Sequence, residues 1–135
     1  MSVIISNTTP INYLVLIDHI AVLPQLYARI IIPQAVFGEL QEEGTPAKVK
    51  VWVAAHPAWL EVRTVSVAPD ASLAYLDMGE REAIRLGQEL EADALMMDEP
   101  AGREAAQRQG LRVIGTLRVL YEAAAAGLCD LAQSL

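Results

Sequence analysis

Hydrophobic residues fall in short blocks along this chain, and the spacing inside each block predicts an element. VIIS (Val3–Ser6) is apolar without alternation, the mark of a strand buried on both faces. After it, Pro10 suits the first turn of a helix with Thr9 as N-cap. A second helical stretch, HIAVLPQLY, is broken or restarted at Pro24. Residues 29–32 are a β-branched run stopped by Pro33, a second strand. QAVFGELQEE reads as a helix with Val36, Phe37 and Leu40 on one face. Gly44-Thr45-Pro46 ends it and opens AKVKVWVAAH, which closes before Pro57. Residues 60–67 alternate as a strand, and the pattern leaves open whether it joins the main sheet. A linker at 68–70 precedes an amphipathic helix at 79–91, with Ala83, Ile84 and Leu90 inward. Then come a strand at 94–97, a helix at 100–109, a strand at 112–114 and a final helix at 117–126.

Strands that alternate with helices, and that are too apolar to have a wet face, predict an α/β fold: a parallel sheet covered on both sides. Such sheets bind ligands beyond the carboxyl ends of their strands, where strand order reverses. Three strand ends deliver polar groups there: Asn7, Thr8 and Thr9; Asp98 and Glu99; Gly115 and Thr116. Taken singly, each has a plainer explanation. Thr9, Thr116 and one of Asp98 and Glu99 read as N-caps. Glu80 sits in a first helical turn, where the dipole favours any acid. Glu39 lies near Glu42 and Glu43 on what reads as a solvated helix face.

Composition narrows the classes. A chain of 135 residues that is 53% hydrophobic is expected to form one globular domain, 1–135. The single cysteine, Cys129, excludes an intramolecular disulfide and a cysteine-based zinc site. No basic leader precedes a long apolar run, and the most apolar region, 11–23, is broken by Asp18 and His19, so the expectation is a cytoplasmic chain without a membrane span. A net charge of −7 gives no signal of the basic surface that usually grips duplex nucleic acid. It fits either plain solubility or carboxylates converging on a cation.

The segments SNTTPINYL, IIPQAVFGEL, GEREAIRLG, LMMDEPAGREAA and VIGTLRVL follow one another from Val3 to about Leu128. In that order they resemble the successive motifs of the PIN-domain family, closest to its VapC-like branch, whose first motif reads Ser-(Asp or Asn)-Thr-(Ser or Thr)-Pro. The resemblance implies a PIN-like three-layer α/β/α sandwich with a central parallel sheet. It implies a Mg²⁺- or Mn²⁺-dependent endoribonuclease, the toxin of a toxin–antitoxin pair, with RNA as substrate, an antitoxin protein as partner and a homodimer as the assembled form. Carried over residue by residue, the acidic site falls on Asn7, Glu39, Glu80 and Asp98, with Glu99 as a second acid beside Asp98 and Thr116 at the hydroxyl position. Glu39, Glu80 and Asp98 are then expected to share a cation. Thr8, Thr9 and Arg103 are candidate substrate-binding residues, and Lys48 and Lys50 weaker ones. Trp52 and Trp59 read as base-stacking groups or as core, and the dimer face is expected around Tyr27 and residues 51–59. His19 and His56 have no expected role.

The chemistry matches this donor set. Hydrolysing a phosphodiester needs an activated water and a counter-charge, and carboxylate-held Mg²⁺ or Mn²⁺ supplies both, as one ion or as two roughly 4 Å apart. The departure is Asn7, an amide where the family pattern most often has an aspartate. At about 4 Å and an effective dielectric of about 20, the missing unit charge removes roughly 4 kcal/mol of gross attraction. That keeps a second expectation alive: a catalytically weak PIN-fold protein that binds RNA or a protein partner. A phosphoacceptor or phosphatase of similar topology ranks last, since Asn7 is no nucleophile and Arg118 lies too far into its helix.

Overall fold

The computed structural model describes residues 2–129. Five parallel strands form one sheet in the order β3-β2-β1-β4-β5: β1 (Val3–Ser6), β2 (Arg29–Pro33), β3 (Leu60–Arg63), β4 (Ala94–Met96) and β5 (Val113–Ile114). β1 is central. The chain moves outward from it through β2 and β3, then crosses to its other side for β4 and β5. The order therefore reverses between β1 and β4, which sets the ligand crevice at their carboxyl ends.

Successive side chains of a strand point to opposite faces, and here both faces are apolar. Ile4, Ile30, Ile32 and Met96 pack on one side with helices α1 (Thr8–Leu16), α2 (Val22–Leu26), α4 (Ala47–Ala54) and α7 (Thr116–Ala125). Ile5, Ile31, Leu95 and Met97 pack on the other with α5 (Met78–Glu89) and α6 (Pro100–Arg108). α3 (Gln34–Glu39) crosses the edge, sending Val36 into the first layer. The two clusters are the outer halves of a three-layer sandwich, and each buried isoleucine contributes about 1.5–3 kcal/mol.

Several local expectations are corrected by the packing. The strand expected at 60–67 ends at Arg63; it does join the sheet, at the edge beside β2. Thr9 is not an N-cap, because α1 begins two residues earlier than expected, at Thr8, with Asn7 in that place. Thr116 is not one either: Gly115 caps α7. Both threonines instead spend their hydroxyls on carboxylates far away in sequence. Glu99 does occupy the N-cap of α6, without a side-chain cap bond. Tyr27, expected at a dimer face, is buried and donates to Glu122 of α7 at 2.5 Å, whereas Val51 is 73% exposed. Trp52 and Trp59 lie against each other, centroids 5.8 Å apart, and pack on the core. No helix among the described residues is long and apolar enough to cross a membrane.

Candidate functional site

At the carboxyl edge of β1 the chain stops pairing and turns into α1. The Asn7 backbone N–H still donates to the Met96 carbonyl at 3.0 Å, which pins the β1 and β4 ends together. Asn7 is only 3% exposed, and its Oδ1 is buried with no donor to satisfy it. Such an atom is costly unless something approaches it. The next residue, Thr8, donates from Oγ1 to Glu39 Oε1 at 2.5 Å, and Thr9 donates to Glu99 Oε1 at 2.5 Å. The second oxygen of Glu99, Oε2, is likewise buried without a donor.

α5 enters the same region amino end first. Asp77 caps it by accepting from the Glu80 N–H at 2.8 Å, while Glu80 Oε1 accepts from the Asp77 N–H at 3.3 Å, a reciprocal capping box. Gly79 lets Glu39 come close: a Cβ there would stand 2.3 Å from Glu39 Oε1, so the carboxylate would have to move. Gly102 plays the same part for Glu80, whose Oε2 would meet a Cβ at 2.6 Å. α3, α5 and α6 thus press their acids into one neighbourhood.

The electrostatics record that crowding. Burial pushes the Glu39 carboxyl above the usual range; its bond from Thr8 opposes this, and the negative charge of Asp77 adds to it. Glu80 is pushed up to about 7, first by burial, then by the charge of Asp77, with Glu99 contributing further. Carboxyls are raised in this way when negative charges gather without a counter-ion.

Asn7, Thr8, Thr9, Glu39, Asp77 and Glu99 share the walls of an open cleft of about 410 Å³ with Asn12 and the loop at Gly44 and Thr45. Asp98 stands apart from this group. It accepts from the Thr116 N–H at 2.8 Å and from Thr116 Oγ1 at 2.6 Å, and it lies beside Gly115, where a Cβ would meet Asp98 Oδ1 at 3.0 Å. The expected sharing of one cation by Glu39, Glu80 and Asp98 is not the arrangement seen. Among the described residues no three histidine, cysteine or acidic side chains stand close enough together to hold one ion. The reason is local: neighbouring hydroxyls and amides already claim Asp98, Glu39 and Glu99. Arg103 donates to the Met97 carbonyl at 2.8 Å and so braces the end of β4. Lys48 pairs with Asp18 at 2.7 Å and Lys50 donates to the Glu43 carbonyl at 3.1 Å, so neither reaches into the cleft.

Two residues of this cleft escaped the reading of the sequence. Asp77 was legible in principle, since Asp77-Met-Gly-Glu80 is a capping-box pattern. Asn12 carried no signal beyond lying one turn after Thr8.

A divalent cation fits this donor set. Asn7 Oδ1 and Glu99 Oε2 are buried hard oxygens without hydrogen-bond donors, and the raised Glu39 and Glu80 carboxyls lack a counter-charge. Comparison with known proteins bears on the family and the fold. Residues 3–135 match the model of the family DUF3368, described as a PIN domain. A solved PilT N-terminus domain protein from the hyperthermophilic archaeon Sulfolobus solfataricus P2 superposes with a TM-score of 0.60 at 19% identity, over 100% of this chain and 94% of that one. No curated protein matches the chain.

Proposed function

The chain belongs to the PIN-domain family DUF3368, whose fold is generally that of nucleases, and from that premise we propose that it is a Mg²⁺- or Mn²⁺-dependent endoribonuclease. The observation that carries the reading is the pair of buried, donor-free oxygens, Asn7 Oδ1 and Glu99 Oε2, in an acidic cleft at the β1–β4 reversal. Asn7, Glu39 and Glu99, which share the cleft wall, would hold the ion, with Glu80 and Asp98 adding negative charge from behind them. When bound, it supplies counter-charge to the phosphate and lowers the pKa of a water.

The chain's own groups supply the rest. Thr8 orients Glu39, Thr9 orients Glu99, and Thr116 orients Asp98 through its N–H and hydroxyl. Gly79 and Gly102 let α5 and α6 close on those acids. Arg103 holds the β4 end in place through the Met97 carbonyl. The Thr8 and Thr9 hydroxyls, at the cleft wall, are the groups in position to touch a substrate strand.

The test is calorimetric titration with Mn²⁺ beside a ribonuclease assay on single-stranded RNA. Heat that disappears in Glu99→Ala, together with Mn²⁺-dependent cleavage, supports the proposal. Heat absent from the wild type supports the second reading, a PIN-fold protein that binds RNA or a protein without cleaving; the observation favouring it is the uncharged Asn7. A toxin role, an antitoxin partner and a homodimer belong to the same proposal. A neighbouring gene for a small DNA-binding protein tests the partner, and light scattering tests the dimer.

A further inference from the structure

A second cavity, of about 350 Å³, lies between α5 and the segment that follows β3. Met78, Arg81, Glu82 and Arg85 recur at three- and four-residue spacing and form one stripe along α5. Val65, Val67, Pro69 and Leu73 close the cavity from the other side. Arg85 ties the two sides together, donating from Nε and Nη2 to the Ala68 carbonyl at 3.2 and 2.7 Å. Apolar walls, this volume and a few polar groups are the make-up of a small-molecule site.

One charged group of that wall is left uncommitted. Arg85 is spent on Ala68 and on Gln88, 2.7 Å from Nη1. Asp70 accepts from the Ser72 N–H and hydroxyl at 2.9 and 2.7 Å. Glu82 accepts from the Ala35 N–H at 3.0 Å. The Arg81 guanidinium makes no hydrogen bond and no ion pair among the described residues. Acids stand close to it in sequence, but the capping box turns Asp77 and Glu80 toward each other's N–H. Nε of Arg81 is buried and beyond a ligand's reach. The residue as a whole is partly exposed at the cavity, so its contact surface is the pair of terminal Nη groups. Two parallel N–H donors of that kind match the two oxygens of one carboxylate.

We propose that this cavity binds a small amphipathic monocarboxylate, its head on the Arg81 Nη groups and its apolar body against Val65, Val67, Leu73 and Met78. One unspent cation matches one negative charge. Val67 and Met78 are 37% and 50% exposed, apolar surface that such a body covers. A phosphodiester strand is a poor occupant, since it carries a charge at every nucleotide past Asp70 and Glu82 and has no apolar body for these walls. The site shares no lining residue with the acidic cleft and stands whether or not the chain is a nuclease.

Calorimetry and amide NMR on the whole chain test this with three probes: octanoate, its neutral isostere octanamide, and the cation octylamine. Octanoate should bind saturably and about tenfold or more tighter than octanamide, the worth of a charge-assisted hydrogen-bonded pair, with octylamine weakest. Amide shifts should gather at residues 65–73 and 78–85. Arg81→Gln and Arg81→Lys are each first shown to melt cooperatively. The glutamine variant should bind octanoate and octanamide alike, and the lysine variant should keep part of the preference. Absence of saturable octanoate binding, equal binding of octanoate and octanamide by the wild type, or a preference that survives in Arg81→Gln overturns the inference. Shifts confined to the acidic cleft overturn it too. A short single-stranded RNA that displaces octanoate from the same resonances also overturns it, making Arg81 a phosphate contact instead.

Discussion

Replacing Glu80 by glutamine removes a charge without removing the acceptor that its capping box needs. Oε1 still faces the Asp77 N–H, 3.3 Å away, and the Glu80 N–H still bonds Asp77. What changes is the cost of an ionised carboxylate beside Asp77 and Glu99 in a largely buried position. Each pKa unit is about 1.36 kcal/mol, so the rise from 4.5 to about 7 corresponds to on the order of 3 kcal/mol; screening at the open side of the cleft brings the expected effect to about 2 kcal/mol. The sign follows from proton binding. A carboxyl raised on folding binds more protons in the folded state between pH 4.5 and about 7. Its contribution to stability is complete below that window and is lost as pH rises through it. In EDTA, Glu80→Gln should therefore match the wild type near pH 4.5 and exceed it by about 2 kcal/mol near pH 8, a melting difference of roughly 6–10 °C for a chain of this size. Added Mn²⁺ should reverse the order, since only the wild type keeps the full anionic set. The assay is thermal or urea unfolding from pH 4.5 to 8, with and without Mn²⁺. Curves for the two proteins that stay parallel across this range would refute the picture of uncompensated acids at the site.

Asn7→Asp should tighten Mn²⁺ binding by about tenfold or more and lower stability in EDTA, because one more negative charge joins the cluster; unchanged Mn²⁺ affinity by calorimetry would show that residue 7 is a turn residue and not a ligand. Gly79→Ala should change unfolding free energy by less than about 1 kcal/mol, since alanine favours the helix and the Glu39 carboxylate can swing aside. Displacing Glu39 should nonetheless weaken Mn²⁺ binding several-fold, and a titration that matches the wild type would count against Glu39 as a ligand. Tyr27→Phe should cost about 1.5 kcal/mol in urea unfolding, the price of leaving Glu122 without its hydroxyl donor, and leave Mn²⁺ heat unaltered.

The sequence by itself determined the fold class and the edge on which chemistry collects. Val3–Ser6 and residues 29–32 carry no polar face, and a strand of that kind is stable only inside a sheet covered on both sides. Asn7, Asp98 and Thr116 were legible as residues of that edge because each follows the end of a core strand. Local rules failed at Thr9 and Thr116, which have the chemistry of N-caps. They spend it instead on Glu99 and Asp98, 90 and 18 residues away, because packing brings carboxylates within reach. The strand order β3-β2-β1-β4-β5, which fixes the crevice beside Asn7, came from how the helical layers pack and from no single segment. Only the tertiary structure sorted the acids, gathering Glu39, Asp77 and Glu99 around one cleft while Asp98 turns to Thr116. Burial and proximity are properties of contacts between distant residues, and a linear pattern carries them only where periodicity already implies the neighbour.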